Sequence, residues 1–327
     1  MNLIIVLGAV FIIGYVFTDL LLRSLIPRLK SAGILGVDVH KPNRPKIAER
    51  GGYALVLGIM ISQIAVSIAI RKVHGYSLTL LCSTLIAAVI GSLDDMIDLG
   101  GKLKPALSLL SGFPLITSGL LYPRPILPLI GRARLHYVYP IAAFLLPGVF
   151  SNAINMIDVL NGMMASNSII ILLFLSIISI ISGNYVGIIL TASLLGPLMA
   201  FYRYNKYPAK VFAGNVGSLS LGSCLASTAI LARLEASFAI TSIPLLITGF
   251  MIIASVGGFK EKKEMVLRPV EVDGSIIKAN PDPRAPITLV SILTLDVGKE
   301  EPRIVLESNL LFIISGFLAV ITYLLLT

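Results

Sequence analysis

Leu78–Lys104 reads LTLLCSTLIAAVIGSLDDMIDLGGKLK. Its first half, Leu78–Leu93, is an apolar run that predicts a membrane helix, and Asp94, Asp95 and Asp98 follow at its end. If the helix continues through Ile97, Asp94 and Asp98 fall one turn apart on one face, with Asp95 beside them. Like charges at that spacing repel, and carboxylates at a helix C-terminus oppose the macrodipole. Carboxylates near a bilayer are costly as well. Such a cluster calls for a compensating cation. Lys102 and Lys104 are at hand, and a divalent metal bridging to phosphate is the stronger candidate. A solvated helix end with its charges in water is the bland alternative.

The rest of the chain shares the apolar character of that run. Of 327 residues, 56% are hydrophobic and 13% charged, and the mean hydropathy is +0.92. Soluble domains carry about 25% charged residues, so this composition defines an integral membrane protein. Ten apolar stretches approach the length needed to cross a bilayer: 3–22, 53–70, 78–93, 106–121, 139–151, 165–181, 185–202, 219–232, 238–257 and 309–326. The predicted fold is an all-α polytopic bundle of about ten helices. It forms one domain over 1–327, with a β-hairpin in a long loop, 258–308, before the last helix. The first stretch lacks a basic leader and a small-residue cleavage site, so it reads as a retained helix.

Ten spans leave both termini on one side. The loops on the other side hold 20 of the 26 Lys and Arg residues, so the positive-inside rule assigns those loops to the cytoplasm. That placement explains the net charge of +9 without nucleic acid. Cys82 and Cys224 both fall inside predicted helices, and three scattered histidines offer no histidine-rich metal site.

Other polar groups converge on the same predicted face. Asp38–Gly52, DVHKPNRPKIAERGG, spaces Lys41, Arg44, Lys46 and Arg50 with prolines that favour an extended path. A polybasic patch for anionic lipids would account for the charge, though not for Asp38 and Glu49 among the bases. Asn152–Met163, NAINMIDVLNGM, sets Asn152, Asn155, Asp158 and Asn161 at three-residue steps, one polar stripe if the turn is helical. Amides facing lipid would go unsatisfied, so the stripe predicts a polar cavity; interhelical glue is the alternative. Residues 208–222, PAKVFAGNVGSLSLG, bring Lys210, Asn215 and three glycines to a helix start suited to anions. In the last loop, Val270–Lys278 predicts a hairpin turning at Asp273-Gly274, beside Lys260, Lys262, Lys263 and Arg268. Acids and amides suited to magnesium, ringed by Lys and Arg, suit phosphates.

These four motifs, in this order, resemble those of the polyprenyl-phosphate N-acetylhexosamine-1-phosphate transferases (glycosyltransferase family 4). DVHKPNRPKIAERGG is similar to the first motif of that superfamily and GSLDDMID…KLK to its Asp-Asp motif with trailing lysine. NAINMIDVLNGM and VFAGNVGSLSLG are similar to the third and fourth. Asn161, where bacterial members tend to carry Asp, and the hairpin loop look closer to the archaeal and eukaryotic branch. The resemblance implies transfer of GlcNAc-1-phosphate from UDP-GlcNAc to dolichyl phosphate with release of UMP, the first step of lipid-linked oligosaccharide assembly for N-glycosylation. It implies magnesium, with manganese as a substitute, a multi-pass protein whose site faces the cytoplasm (in the cell membrane of an archaeon), and a homodimer as an allowed assembly. By resemblance Asp94 and Asp95 activate or orient the acceptor phosphate, and Asn155 and Asn215 sit at the metal. Asp158 lies near the nucleotide, Lys104 and Arg268 on phosphates, and Lys41 in a basic wall; Asn152 and Lys210 complete the substrate contacts. Two departures stand out. Gly214-Asn215 replaces the usual Gly-Asp, whose Asp is a metal ligand in the family. Arg268-Pro269 stands where relatives carry an Arg/His-rich or His-rich sequence. A transporter with a polar path is the competing class, but neither inverted repeats nor midplane charges are visible. An intramembrane prenyltransferase would need a second Asp-rich motif, which the chain lacks.

Overall fold

The structure, a computed structural model, describes residues 3–127, 131–258 and 267–326. Lys260, Lys262 and Lys263 lie outside the described residues. Helix α1 (Leu3–Ser31) leads into a small antiparallel pair, β1 (Leu35–Val37) and β2 (Lys46–Ala48), and then α2 (Gly52–Ala69) and α3 (His74–Ile97). Two short helices, α4 (Leu103–Ser108) and α5 (Phe113–Thr117), and a two-stranded pair, β3 (Ile126–Leu127) and β4 (Gly131–Arg132), precede α6 (Val138–Ile157). Then come α7 (Met163–Ile181), α8 (Tyr185–Asn205), α9 (Gly214–Leu231), α10 (Glu235–Thr241) and α11 (Ile243–Val256). A three-stranded sheet of β5 (Val270–Asp273), β6 (Ile276–Ala279) and β7 (Lys299–Glu300) surrounds α12 (Leu289–Leu293) in sequence, and α13 (Glu301–Leu326) closes the chain.

Among the described residues, seven helices are long and apolar enough to span a bilayer, and α10 with α11, bent by 65°, makes an eighth if the pair counts as one span. Those eight match eight of the ten stretches read from sequence. The stretch 106–121 instead forms a shorter helical run, Leu103–Thr117, in which α4, a 3-10 turn and α5 follow one another, and Gly119 at φ +70° lies just past its end. The stretch 219–232 belongs to α9, which is 18 residues long but rich in Ser and Gly.

Helix α9 is the axis of the bundle. Every residue from Val216 to Leu231 is buried, the pattern of a helix enclosed on all sides, and α3 and α6 flank its length. Small side chains let the backbones approach, and hydroxyls join them. Ser83 Oγ lies 3.0 Å from Ser223 Oγ and 2.7 Å from Ser227 Oγ, while Ser151 Oγ donates to the Leu219 carbonyl at 2.7 Å.

The hairpin forms with its turn one residue later than predicted. Asp273 pairs with Ile276, so the loop is Gly274–Ser275 rather than Asp273-Gly274. The positive φ (+58°) falls on Gly274, the first loop residue, which is where a two-residue connection led by glycine needs it. The register also places Val270 opposite Ala279, both buried.

Candidate active site

The loop of the first motif and the start of α9 are stitched together by backbone, and the end of α3 joins them through side chains. Phe212 N donates to Ala48 O at 2.8 Å, Gly51 N to Phe212 O at 2.8 Å and Gly52 N to Ala213 O at 2.9 Å. This zipper exists because the prolines of residues 38–45 leave an extended strand edge that can pair. It brings Arg50 to α3, where its Nη2 donates to the Asp95 carbonyl.

Asp95 caps α9 from outside. Its Oδ1 accepts from the backbone N–H and the Nδ2 of Asn215, each at 2.9 Å, and its Oδ2 from Val216 N at 3.2 Å. Ala213, at the helix start, has no capping side chain, so a carboxylate from α3 satisfies the first-turn donors and faces the positive end of the α9 dipole. The approach is close. A Cβ on Gly91 would lie 2.4 Å from the Asn215 carbonyl, and one on Gly214, which sits at φ +68°, 2.9 Å from Asp95 Oδ2. Gly91→Ala is therefore expected to lower stability by about 1–3 kcal/mol through overpacking and to weaken the Asp95–Asn215 contact. A melting temperature equal to the parent's would show that α3 and α9 can part without cost.

Asp94 is buried, at 7% exposure, and turns toward α4. Lys104 Nζ meets its Oδ2 at 2.9 Å, and Leu99 N donates to Oδ1 at 3.0 Å. Of the two candidate lysines, Lys104 supplies the compensating charge, and Lys102 is exposed. Asp98 is the exposed C-cap of α3, at φ +54°.

The third motif does not form one stripe. Helix α6 stops at Ile157 with Asp158 as its C-cap, so the three-residue spacing is helical only through Asn155. Asn155 Oδ1 accepts from Ser218 Oγ of α9 at 2.8 Å, whereas Asn152 Nδ2 turns back to the Gly148 carbonyl at 2.8 Å. Asn161 belongs to a second cluster. Its Nδ2 donates to Asp38 Oδ2 at 3.0 Å, and its backbone N–H to Glu301 Oε1 at 2.6 Å. Lys41 Nζ pairs with Glu301 and with Asp38 Oδ2 at 3.4 Å, and lies 4.4 Å from the centroid of the Tyr207 ring. Burial pulls the Lys41 ammonium below the usual lysine range, opposed by Asp38. Lys210 and Arg268 are exposed; Lys210 donates its backbone N–H to the Tyr204 carbonyl, and the Arg268 carbonyl accepts from Asn280 Nδ2.

The structure thus unites Asp94, Asp95, Lys104, Asn155 and Asn215 around the α9 start, and gathers Lys41 with Asn161 beside Asp38. Sequence reading missed the bridging part of Glu301. The available signal was an acid in the first turn of a helix that turns apolar from Leu310 onward. Among the described residues, no three His, Cys, Asp or Glu side chains form a group able to hold a metal.

The family model described as glycosyl transferase family 4 matches residues 77–233, which takes in α3, α6 and α9. A protein of Saccharolobus solfataricus, named provisionally as a UDP-N-acetylglucosamine–dolichyl-phosphate N-acetylglucosaminephosphotransferase, is 28% identical over 72% of this chain and 73% of its own length. A Sulfolobus acidocaldarius protein of the same provisional name is 28% identical over 67% and 69%. The phospho-N-acetylmuramoyl-pentapeptide-transferase of Streptococcus mutans is 29% identical over 77% and 80%. The chain is thus similar to glycosyl transferase family 4 over residues 77–233 and to these three transferases over two thirds or more of its length.

Proposed function

We propose that this protein transfers N-acetylglucosamine-1-phosphate from UDP-N-acetylglucosamine to a polyprenyl phosphate of the dolichyl type, releasing UMP, at the cytoplasmic face of the membrane. The observation that carries the reading is the Asp94–Asp95 pair set at the end of a membrane helix, with Lys104 on one acid and the start of α9 on the other. The provisional names of the two archaeal relatives favour this donor and acceptor. In the reaction, an oxygen of the lipid phosphate forms a bond to the sugar-bearing phosphorus. The bond from that phosphorus to the bridging oxygen breaks, and UMP leaves with that oxygen.

Such chemistry needs positioning and electrostatics more than covalent help. Asp94, neutralised by Lys104, orients the acceptor phosphate, and Lys104 offers its ammonium to phosphate oxygens. Asp95 orders the first turn of α9. Around that turn the Asp95 carboxylate and the amides of Asn155 and Asn215 offer oxygen donors, which fits magnesium in chemistry. Asn155 and Asn215 would hold the ion with the help of Asp95, and it would supply neutralisation of diphosphate charge. Lipid-linked oligosaccharide assembly for N-glycosylation would consume the product. The test is transfer of labelled sugar phosphate from a panel of UDP-sugars into organic-extractable lipid, with UMP detected. UDP-N-acetylglucosamine is expected to be the best donor; label entering lipid from no UDP-sugar, or UDP rather than UMP released, would defeat the proposal.

A further inference from the structure

Away from this site, α1 and α8 carry a polar cluster at the site end of the bundle. Asp19, 6% exposed, lies between the two helices. Its Oδ2 meets Arg23 Nη2 at 2.8 Å, and its Oδ1 accepts from Arg203 Nη1 at 3.2 Å and from the Tyr204 hydroxyl at 2.8 Å. Each guanidinium places one terminal nitrogen on Asp19, Arg23 also meets the Tyr204 hydroxyl, and the two side chains remain 58% and 53% exposed. Two arginines on one carboxylate leave a net charge of +1, held in a fixed orientation.

The depth of this cluster is set by helix rise. Arg23 stands about 30 Å along α1 from Leu3, and Arg203 about 27 Å along α8 from Tyr185, at the edge of a hydrocarbon layer about 30 Å thick. Below each arginine the helix is apolar and exposed. Val16, Leu20 and Arg23 follow at steps of four and three on α1, and Met199 lies one turn before Arg203 on α8. The surface is therefore apolar toward the membrane core and cationic at its rim. A lipid with a phosphate head has the complementary pattern, and guanidinium presents a fork that matches phosphate.

We propose that Asp19 presents Arg23 and Arg203 as a binding fork for the phosphate of an anionic phospholipid in the leaflet at the site end, with its acyl chains along Val16, Leu20 and Met199. The inference is independent of the transferase reading, because none of these residues belongs to the candidate active site.

The test uses the purified full-length protein in neutral detergent, melted at rising concentrations of phosphatidylglycerol, phosphatidylcholine or inorganic phosphate. Phosphatidylglycerol is expected to raise the melting temperature saturably. Its half-saturating concentration should rise about fivefold in Arg23→Gln or Arg203→Gln, and about 25-fold in the double variant. Arg71→Gln/Lys72→Gln, at the opposite end of the bundle, should not move it. If the double glutamine variant is not monodisperse on gel filtration, Arg23→Lys/Arg203→Lys keeps the charges without the fork and should still show a several-fold loss. An unchanged half-saturating concentration in the folded double variant would overturn the proposal. So would equal stabilisation by phosphatidylcholine, or by inorganic phosphate in place of lipid.

Discussion

Asp95→Asn and Asp94→Asn should each leave a folded protein whose sugar-phosphate transfer has fallen by roughly 100-fold or more. The two losses would have different physical origins. At position 95 an amide presents a donor to the Val216 N–H, so one of the three bonds that order the start of α9 is replaced by a clash between donors. At position 94 the amide keeps the shape but leaves the Lys104 ammonium without its counter-charge. Folding is expected to survive because each change removes a charge from the bilayer edge while keeping the volume. The check pairs a transfer assay with gel filtration and a melting curve of each variant. Parent-like turnover in both would discard the assignment of the acid pair.

Asn215→Asp is the second large effect, and its direction depends on metal. The Asn215 amide donates to Asp95 Oδ1 at 2.9 Å. A carboxylate there would face another carboxylate at the same distance, and like charges that close cannot both stay ionised without a shared cation. Without magnesium the Asp form is expected to melt lower than the parent. With magnesium the added charge serves a hard cation better than a neutral amide does. The half-saturating magnesium concentration for transfer should then drop, by roughly tenfold, and the maximal rate should rise. The opposite case is that another carboxylate already supplies the charge, with Asp98 and Asp158 as the candidates. Both are helix C-caps, Asp98 ending α3 and Asp158 ending α6. A magnesium titration of rate and of melting temperature in both forms decides. No gain in rate, together with equal or weaker magnesium dependence in the Asp form, would show that the charge is already present.

The sequence by itself determined the membrane class, the approximate positions of eight spans, the four polar motifs and the residue types of the acidic site. Those features follow from local composition: apolar runs longer than a bilayer is thick, and acids placed where a membrane helix ends. Three-dimensional packing decided the rest. Whether 106–121 forms one full-length helix depends on where its backbone leaves the helix, after Thr117 and before Gly119, which hydropathy does not weigh. The polar spacing of Asn152 to Asn161 is periodic in sequence, yet α6 ends at Ile157 and sends Asn155 to Ser218 and Asn161 to Asp38. The roles of Asp94 and Asp95 separate in the same way. The two are adjacent in the chain and alike in chemistry, but one turns to Lys104 and the other to the start of α9. Glu301 joins Lys41 to Asn161 across long sequence separations. No pattern along the chain reports such a contact, because it exists only once the last helix packs beside the first loop.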